Sequence, residues 1–173
     1  MSKNIFLVGF MGCGKTTIGS LLAQKLNYNF IDTDEEIEKQ GQLSIIDLFK
    51  EKGEQSFREH ETEILQQILI NENSAVIATG GGMPCFYENM EKMLREGFVI
   101  YLKCTPEEIA KRVAGKNSRP LLNTSDNIIG HIQKMLSLRE NIYSKAHFIT
   151  DASGRQTQEV LNNIYDWWQK QKI

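Results

Sequence analysis

Nine residues near the start of the chain have the types and order needed to grip a polyphosphate: Gly9-Phe10-Met11-Gly12-Cys13-Gly14-Lys15-Thr16-Thr17. Glycines let the main chain bend tightly and aim several N–H groups at one anion. A helix opening at Lys15 adds the positive end of its dipole at the same point. Gly12, Cys13, Gly14 and Thr17 then cradle the phosphates of a nucleotide, Lys15 reaches the β- and γ-phosphates, and the Thr16 hydroxyl ligates Mg²⁺. A phosphate loop also needs a metal-side carboxylate, usually an Asp ending another apolar strand. The run Ala75-Val76-Ile77-Ala78 ends in Thr79 and three glycines, whereas Phe30-Ile31 ends in Asp32-Thr33-Asp34. Two carboxylates two residues apart in extended chain point the same way. Asp32 is therefore the expected metal-side carboxylate, direct or through water, and Asp34 faces an acceptor. One of the two is also expected to cap a helix starting near Glu35.

Three further features could hold that acceptor. Arg58 and Glu61 lie three apart in a helical pattern and share a face. An arginine fork suits a carboxylate, but such a pair taken alone reads as a surface ion pair worth little. Gly80-Gly81-Gly82 directly follows a strand, where a ligand could approach the main chain; a plain flexible turn is an equal alternative. Arg139, by itself, reads as part of a solvated helix face. His60, His131 and His147 show no metal-ligand spacing. Cys13 reads as a small residue tolerated in the loop. Trp167-Trp168 reads as packing for the last helix.

The elements that must position these residues alternate. Strands are expected at Ile5–Val8, Phe30–Asp32, Ala75–Ala78, Val99–Leu102 and Phe148–Thr150, as continuous apolar runs suited to a buried parallel sheet. Helices are expected at Lys15–Leu26, Ile45–Lys52 with Ser44 as N-cap, Glu54–Ile70, Asn89–Glu96 ending at a C′ Gly97, a helix after Thr105-Pro106, Asn127–Ser144 and Thr157–Lys170. This is an α/β series. The pattern lapses from Ala114 to Asp126, a polar stretch bearing Arg119 and preceded by Arg112, which reads as a lid.

The 173 residues suggest one domain, 1–173, and the net charge of −2 gives no field for nucleic acid or an anionic membrane. No apolar run approaches a membrane span, and three cysteines make no disulfide framework. A cytoplasmic monomer is expected. No Asn-Lys-x-Asp follows the loop, which disfavours a guanine-reading GTPase.

Together, residues 9–17, Asp32-Thr33-Asp34, Phe57-Arg58-Glu59-His60-Glu61, Gly80-Gly81-Gly82, Arg119-Pro120-Leu121-Leu122, and Arg139 with Tyr143 make the chain resemble the shikimate kinases. The resemblance implies a three-layer α/β/α phosphate-loop kinase fold with a five-stranded parallel sheet, a substrate-binding helical region at about 33–61 and a lid at about 112–126. It implies phosphorylation of the 3-hydroxyl of shikimate by ATP, with Mg²⁺, on the route to aromatic amino acids. Asp34, Arg58, Glu61, Arg139 and the backbone of Gly80, Gly81 and Gly82 would hold shikimate, with Phe49 and Phe57 walling its ring. Lys15, Thr16 and Asp32 would serve the phosphates and metal. Arg119 would contact the transferring phosphate, Arg112 would lie against adenine, and Arg155 would be a second adenine-side residue. Asp34, Lys15 and Arg119 would be the catalytic groups. A kinase for another polyol acid such as gluconate, a nucleoside-monophosphate kinase and a nucleotide-sensing module are the competing readings. Only the last could dispense with Asp34 and Arg119.

Overall fold

The structure, a computed structural model, describes residues 3–114 and 127–171. Five strands pair in one all-parallel sheet: β1 (Asn4–Val8), β2 (Asn29–Asp32), β3 (Ala75–Ala78), β4 (Gly97–Lys103) and β5 (Phe148–Asp151), in the order β2-β3-β1-β4-β5. Every residue of β1 and β3 is buried, so both faces of the sheet centre are covered. That is why these strands read as unbroken apolar runs. The five expected strands are all present, each extended by at most two residues at an end.

Helices α1 (Lys15–Leu26), α2 (Thr33–Gly41), α3 (Ile45–Asn71), α4 (Asn89–Glu96), α5 (Pro106–Ala114), α6 (Ile128–Tyr143) and α7 (Thr157–Gln169) link or follow the strands. Ser44 caps α3 by accepting from Asp47 N at 3.2 Å, as expected. The two helices expected around residue 53 are one run interrupted at Gly53, whose φ of 77° and ψ of 171° break the helical path. Thr105 Oγ1 accepts from Glu108 N at 3.3 Å at the head of α5. Asn127 caps α6 through Gly130 N at 2.9 Å.

The last helix docks as expected. Trp167 stacks on Phe148 with ring centres 5.0 Å apart, and Trp168, buried, meets Tyr28 edge-on.

One reading is corrected. Gly97 is no left-handed helix stop: its φ of −160° is extended, and it is the first residue of β4. A Cβ there would lie 2.5 Å from Asn4 O and 2.8 Å from the Phe6 ring. Close approach of β4 to β1, rather than a turn, demands glycine.

Strand order decides where the chemistry gathers. β2, β3 and β1 are consecutive neighbours, and each delivers a chemical segment at its C-terminal end: Asp32, Gly80–Gly82 and the loop of residues 9–14, respectively. Parallel pairing puts all three along one edge.

Candidate active site

The phosphate loop leaves β1 and turns into α1 through Gly9, Gly12 and Gly14, all at positive φ (140°, 81° and 99°). A Cβ on Gly12 would stand 2.9 Å from Val113 Cγ2, so this glycine is required by space as well as by φ. Gly14 is the N-cap of α1 and no side chain caps it, which leaves the first-turn N–H groups facing the loop's concavity. Lys15 is buried, its ammonium donating to Gly9 O at 2.8 Å and Phe10 O at 2.9 Å. Cys13 is buried too, with Sγ 3.8 Å from that ammonium.

Asp32 does two jobs. Its Oδ2 accepts from Thr16 Oγ1 at 2.7 Å, while Oδ1 accepts from Asp34 N at 3.0 Å and so caps α2. The segment is therefore not extended through Asp34, contrary to expectation. The cap starts α2 at Thr33 and puts Asp34 in its first turn. Both carboxylates nevertheless line one cavity of about 440 Å³, together with Lys15, Gly81, Arg112 and Arg155. That volume suits a small ligand site. Gly12, Cys13, Gly14, Thr16 and Thr17 line it as well.

The glycine triplet runs against the acceptor side chains. A Cβ on Gly80 would sit 2.7 Å from both Asp34 Oδ1 and Glu61 Oε1, and one on Gly82 would collide with the Arg58 guanidinium. Here glycine is a steric requirement, and the flexible-turn alternative falls away. Gly80 N donates to the buried Thr33 hydroxyl at 2.8 Å, which ties α2 to the triplet.

Arg58 and Glu61 are not a surface pair. They are 6% and 1% exposed, and Arg58 Nη1 donates to Glu61 Oε2 at 2.7 Å. Glu54 accepts from Nη2 at 3.3 Å. Three aromatic rings surround the guanidinium, those of Phe49, Phe57 and Phe86 at 5.6, 5.3 and 4.5 Å from its carbon. Arg58 Nε is buried and has no partner among the described residues. Burial pushes the Glu61 carboxyl up to about 7, against the pull of Arg58, with Asp34 adding to the rise.

Arg139, half-buried on α6, lies with its guanidinium carbon 5.6 Å from the Phe10 ring centre. Its charge acts on Glu61 and on Cys85, so it belongs to the same electrostatic neighbourhood as Arg58. It is therefore not on a detached solvated face.

Arg112 forms a brace at the far side of the phosphate loop. Nε donates to Glu108 at 2.8 Å, Nη1 to Cys13 O at 3.2 Å and Nη2 to Ala152 O at 2.8 Å. Arg155 pairs with Glu159 at 2.7 Å in an exposed contact. Arg112 closes α5 rather than opening a separate segment; Arg119 and the rest of the expected lid lie outside the described residues.

Thr33 and Phe86 carry parts of this arrangement that sequence reasoning gave no role. A hydroxyl between two aspartates was the available signal for Thr33. A lone Phe86 gives none.

Among the described residues no cluster of three or more His, Cys, Asp or Glu could hold a metal. Mg²⁺ does not require one: it keeps waters and is held by one or two carboxylates plus substrate phosphates. The Thr16 hydroxyl and Asp32 carboxylate fit that pattern.

Comparison with known proteins gives the family and the fold. The family model described as shikimate kinase matches residues 11–169. A shikimate kinase from Persephonella marina is 40% identical over 162 residues, covering 94% of this chain and 96% of that protein. The crystal structure of shikimate kinase from Bacteroides thetaiotaomicron superposes with a TM-score of 0.91 at 37% identity, covering 98% of this chain and 99% of that one. Shikimate kinase from Acinetobacter baumannii, solved in complex with shikimate, gives 0.93 at 32% identity, with 100% and 96% coverage. The chain belongs to the shikimate kinase family.

Proposed function

We propose that this chain transfers the γ-phosphoryl group of ATP to the 3-hydroxyl of shikimate, giving 3-phosphoshikimate and ADP on the route to aromatic amino acids. The observation that carries the reading is the meeting of the two halves at the glycine triplet. Gly81 lines the phosphate-loop cavity, while Gly80 and Gly82 press on Asp34, Glu61 and Arg58. An anionic, hydroxylated acceptor seated there is within reach of a bound triphosphate.

The chain's own groups divide the work. The buried Arg58 offers its Nε to the acceptor carboxylate, and Arg139 supplies a second cation. Phe49 and Phe57, with ring centres 4.6 Å apart, wall the ring. Asp34 accepts from ring hydroxyls and aims the 3-hydroxyl in line with the γ-phosphorus; the hydroxyl proton goes to its carboxylate as the new O–P bond forms. Lys15 and the α1 N-terminus stabilise charge on the phosphoryl oxygens. Mg²⁺, held by Thr16 and Asp32, supplies further neutralisation of the triphosphate when bound. Arg112 presents its planar face to adenine, with Arg155 beside it. The role of Arg119 on the transferring phosphate rests on the family resemblance.

The reading extends to a cytoplasmic monomer. Cys13, Cys85 and Cys104 are free thiols, as a reducing compartment favours. No helix among the described residues is long and apolar enough to cross a membrane. Both substrate halves are drawn from one chain.

A coupled ADP-release assay over a panel of hydroxy acids, with the product read by phosphorus NMR, tests the function. Turnover should require shikimate and place phosphate on the 3-hydroxyl. Preference for gluconate, or ADP release independent of any acid, would refute it.

A further inference from the structure

Tyr143 ends α6 and is fully buried, yet it carries a hydroxyl. The hydroxyl donates a short hydrogen bond to Gly81 O. Arg139, one turn earlier on the same helix, places its positive charge near it. The ring packs beside Tyr101 with centres 5.1 Å apart. Burial pushes the phenol well above its ordinary value, so it stays protonated and keeps its donor.

Gly81 is the middle of the triplet. A Cβ on it would lie 3.3 Å from Met11 N and 3.5 Å from Gly9 O, so its backbone is wedged against the phosphate loop. Gly81 O accepts from Tyr143, so the orientation of the peptide joining Gly81 to Gly82 follows the Tyr143 hydroxyl. Helix α6 is anchored to β4 independently: Glu140 accepts from Tyr101 Oη at 2.7 Å and from Lys103 Nζ at 2.7 Å.

We propose that Tyr143 is a positioning residue for the acceptor: its hydroxyl holds the glycine triplet through Gly81 O, from the same helix that presents Arg139, so that the main-chain and side-chain contacts to shikimate are aligned together. This rests on the shikimate reading above. Tyr143 touches neither substrate nor the reacting atoms. Without the hydroxyl, a buried carbonyl loses its donor.

Steady-state kinetics of the wild type, Tyr143→Phe and Tyr101→Phe test it. Tyr143→Phe keeps the ring and should raise KM for shikimate about tenfold or more, with a clearly smaller change in KM for ATP. Tyr101→Phe frees one Glu140 contact on the same helix and should leave KM for shikimate as in the wild type. An unchanged shikimate KM in Tyr143→Phe, an equal rise in both KM values, or the same effect from Tyr101→Phe would overturn the positioning role. Wild-type protein inactive on shikimate would overturn the functional reading and this inference together, which keeps the two failures apart. Amide exchange in the unmodified protein asks the question without any variant. Shikimate should slow exchange at Gly81–Met83 and in the last turn of α6 together. Protection of the loop with no change in that turn would contradict the linkage.

Discussion

The grip on the triphosphate is one contiguous stretch of main chain, residues 9–17, whereas the acceptor half is assembled from α2, α3, α6 and the loop after β3. On the first side, glycine dihedrals and a helix N-terminus make the anion site, and its one buried cation, Lys15, rests on backbone carbonyls. On the second side, charged side chains are buried against each other: Arg58 on Glu61, Glu61 beside Asp34, Asp34 against Gly80. A main-chain site depends on backbone dihedrals more than on side-chain identity. A side-chain site is interdependent, because each buried charge depends on its neighbour for stabilisation.

The largest expected effect lies on the acceptor side. Asp34→Asn should lower kcat on the order of 10²–10⁴-fold while ATP binding survives, since only orientation and proton acceptance are lost. Titration of ATP into the variant alongside turnover checks both parts; loss of ATP affinity would mean the halves are not separable. Arg58→Ala should cost on the order of 3 kcal/mol in stability, because Glu61 loses its buried partner and is left protonated with an unpaired polar group, and should weaken shikimate binding by about 2 kcal/mol or more. Denaturant melts and shikimate titration measure these, and a change confined to ATP would contradict the division.

Next comes a pH effect confined to the acceptor side. Glu61 sits at about 7 in the folded protein against 4.5 for the ordinary group, so the folded state binds the extra proton. Its contribution to stability is full below pH 4.5 and is lost as pH rises through about 7. Relative to Glu61→Gln, the wild type should therefore lose about 3 kcal/mol between pH 4 and 8. Parallel urea melts of the two proteins would show whether that difference slopes in this direction or is flat.

The smallest effect lies across the loop. Arg112→Ala should raise KM for ATP roughly fivefold, about 1 kcal/mol, and leave shikimate binding intact. An equal change in both KM values would mean that the brace from Cys13 O to Ala152 O shapes the whole site rather than the nucleotide half.

What could be read in the sequence follows the same division. The phosphate loop, the five strands and the caps at Ser44 and Thr105 are local patterns, and they stand where residue types put them. Gly97 was misread because its reason is a strand packed against it from elsewhere in the chain. Arg58 and Glu61 have the spacing of a surface pair, and only the fold buries them. Asp32-Thr33-Asp34 was right in membership and wrong in conformation, because Asp32 caps the helix that then carries Asp34. Phe86 becomes part of the guanidinium's aromatic surround only once the chain beyond the triplet folds back over α3.

The central claim is that one glycine triplet brings a triphosphate and a hydroxy acid face to face. A crystal structure with shikimate and a non-hydrolysable ATP analogue tests it most directly. The acid's carboxylate should meet Arg58 and Arg139, with its 3-hydroxyl at Asp34 and in line with the γ-phosphorus above Lys15. Shikimate bound elsewhere, with Asp34 and Arg58 making no contact to it, would contradict the account.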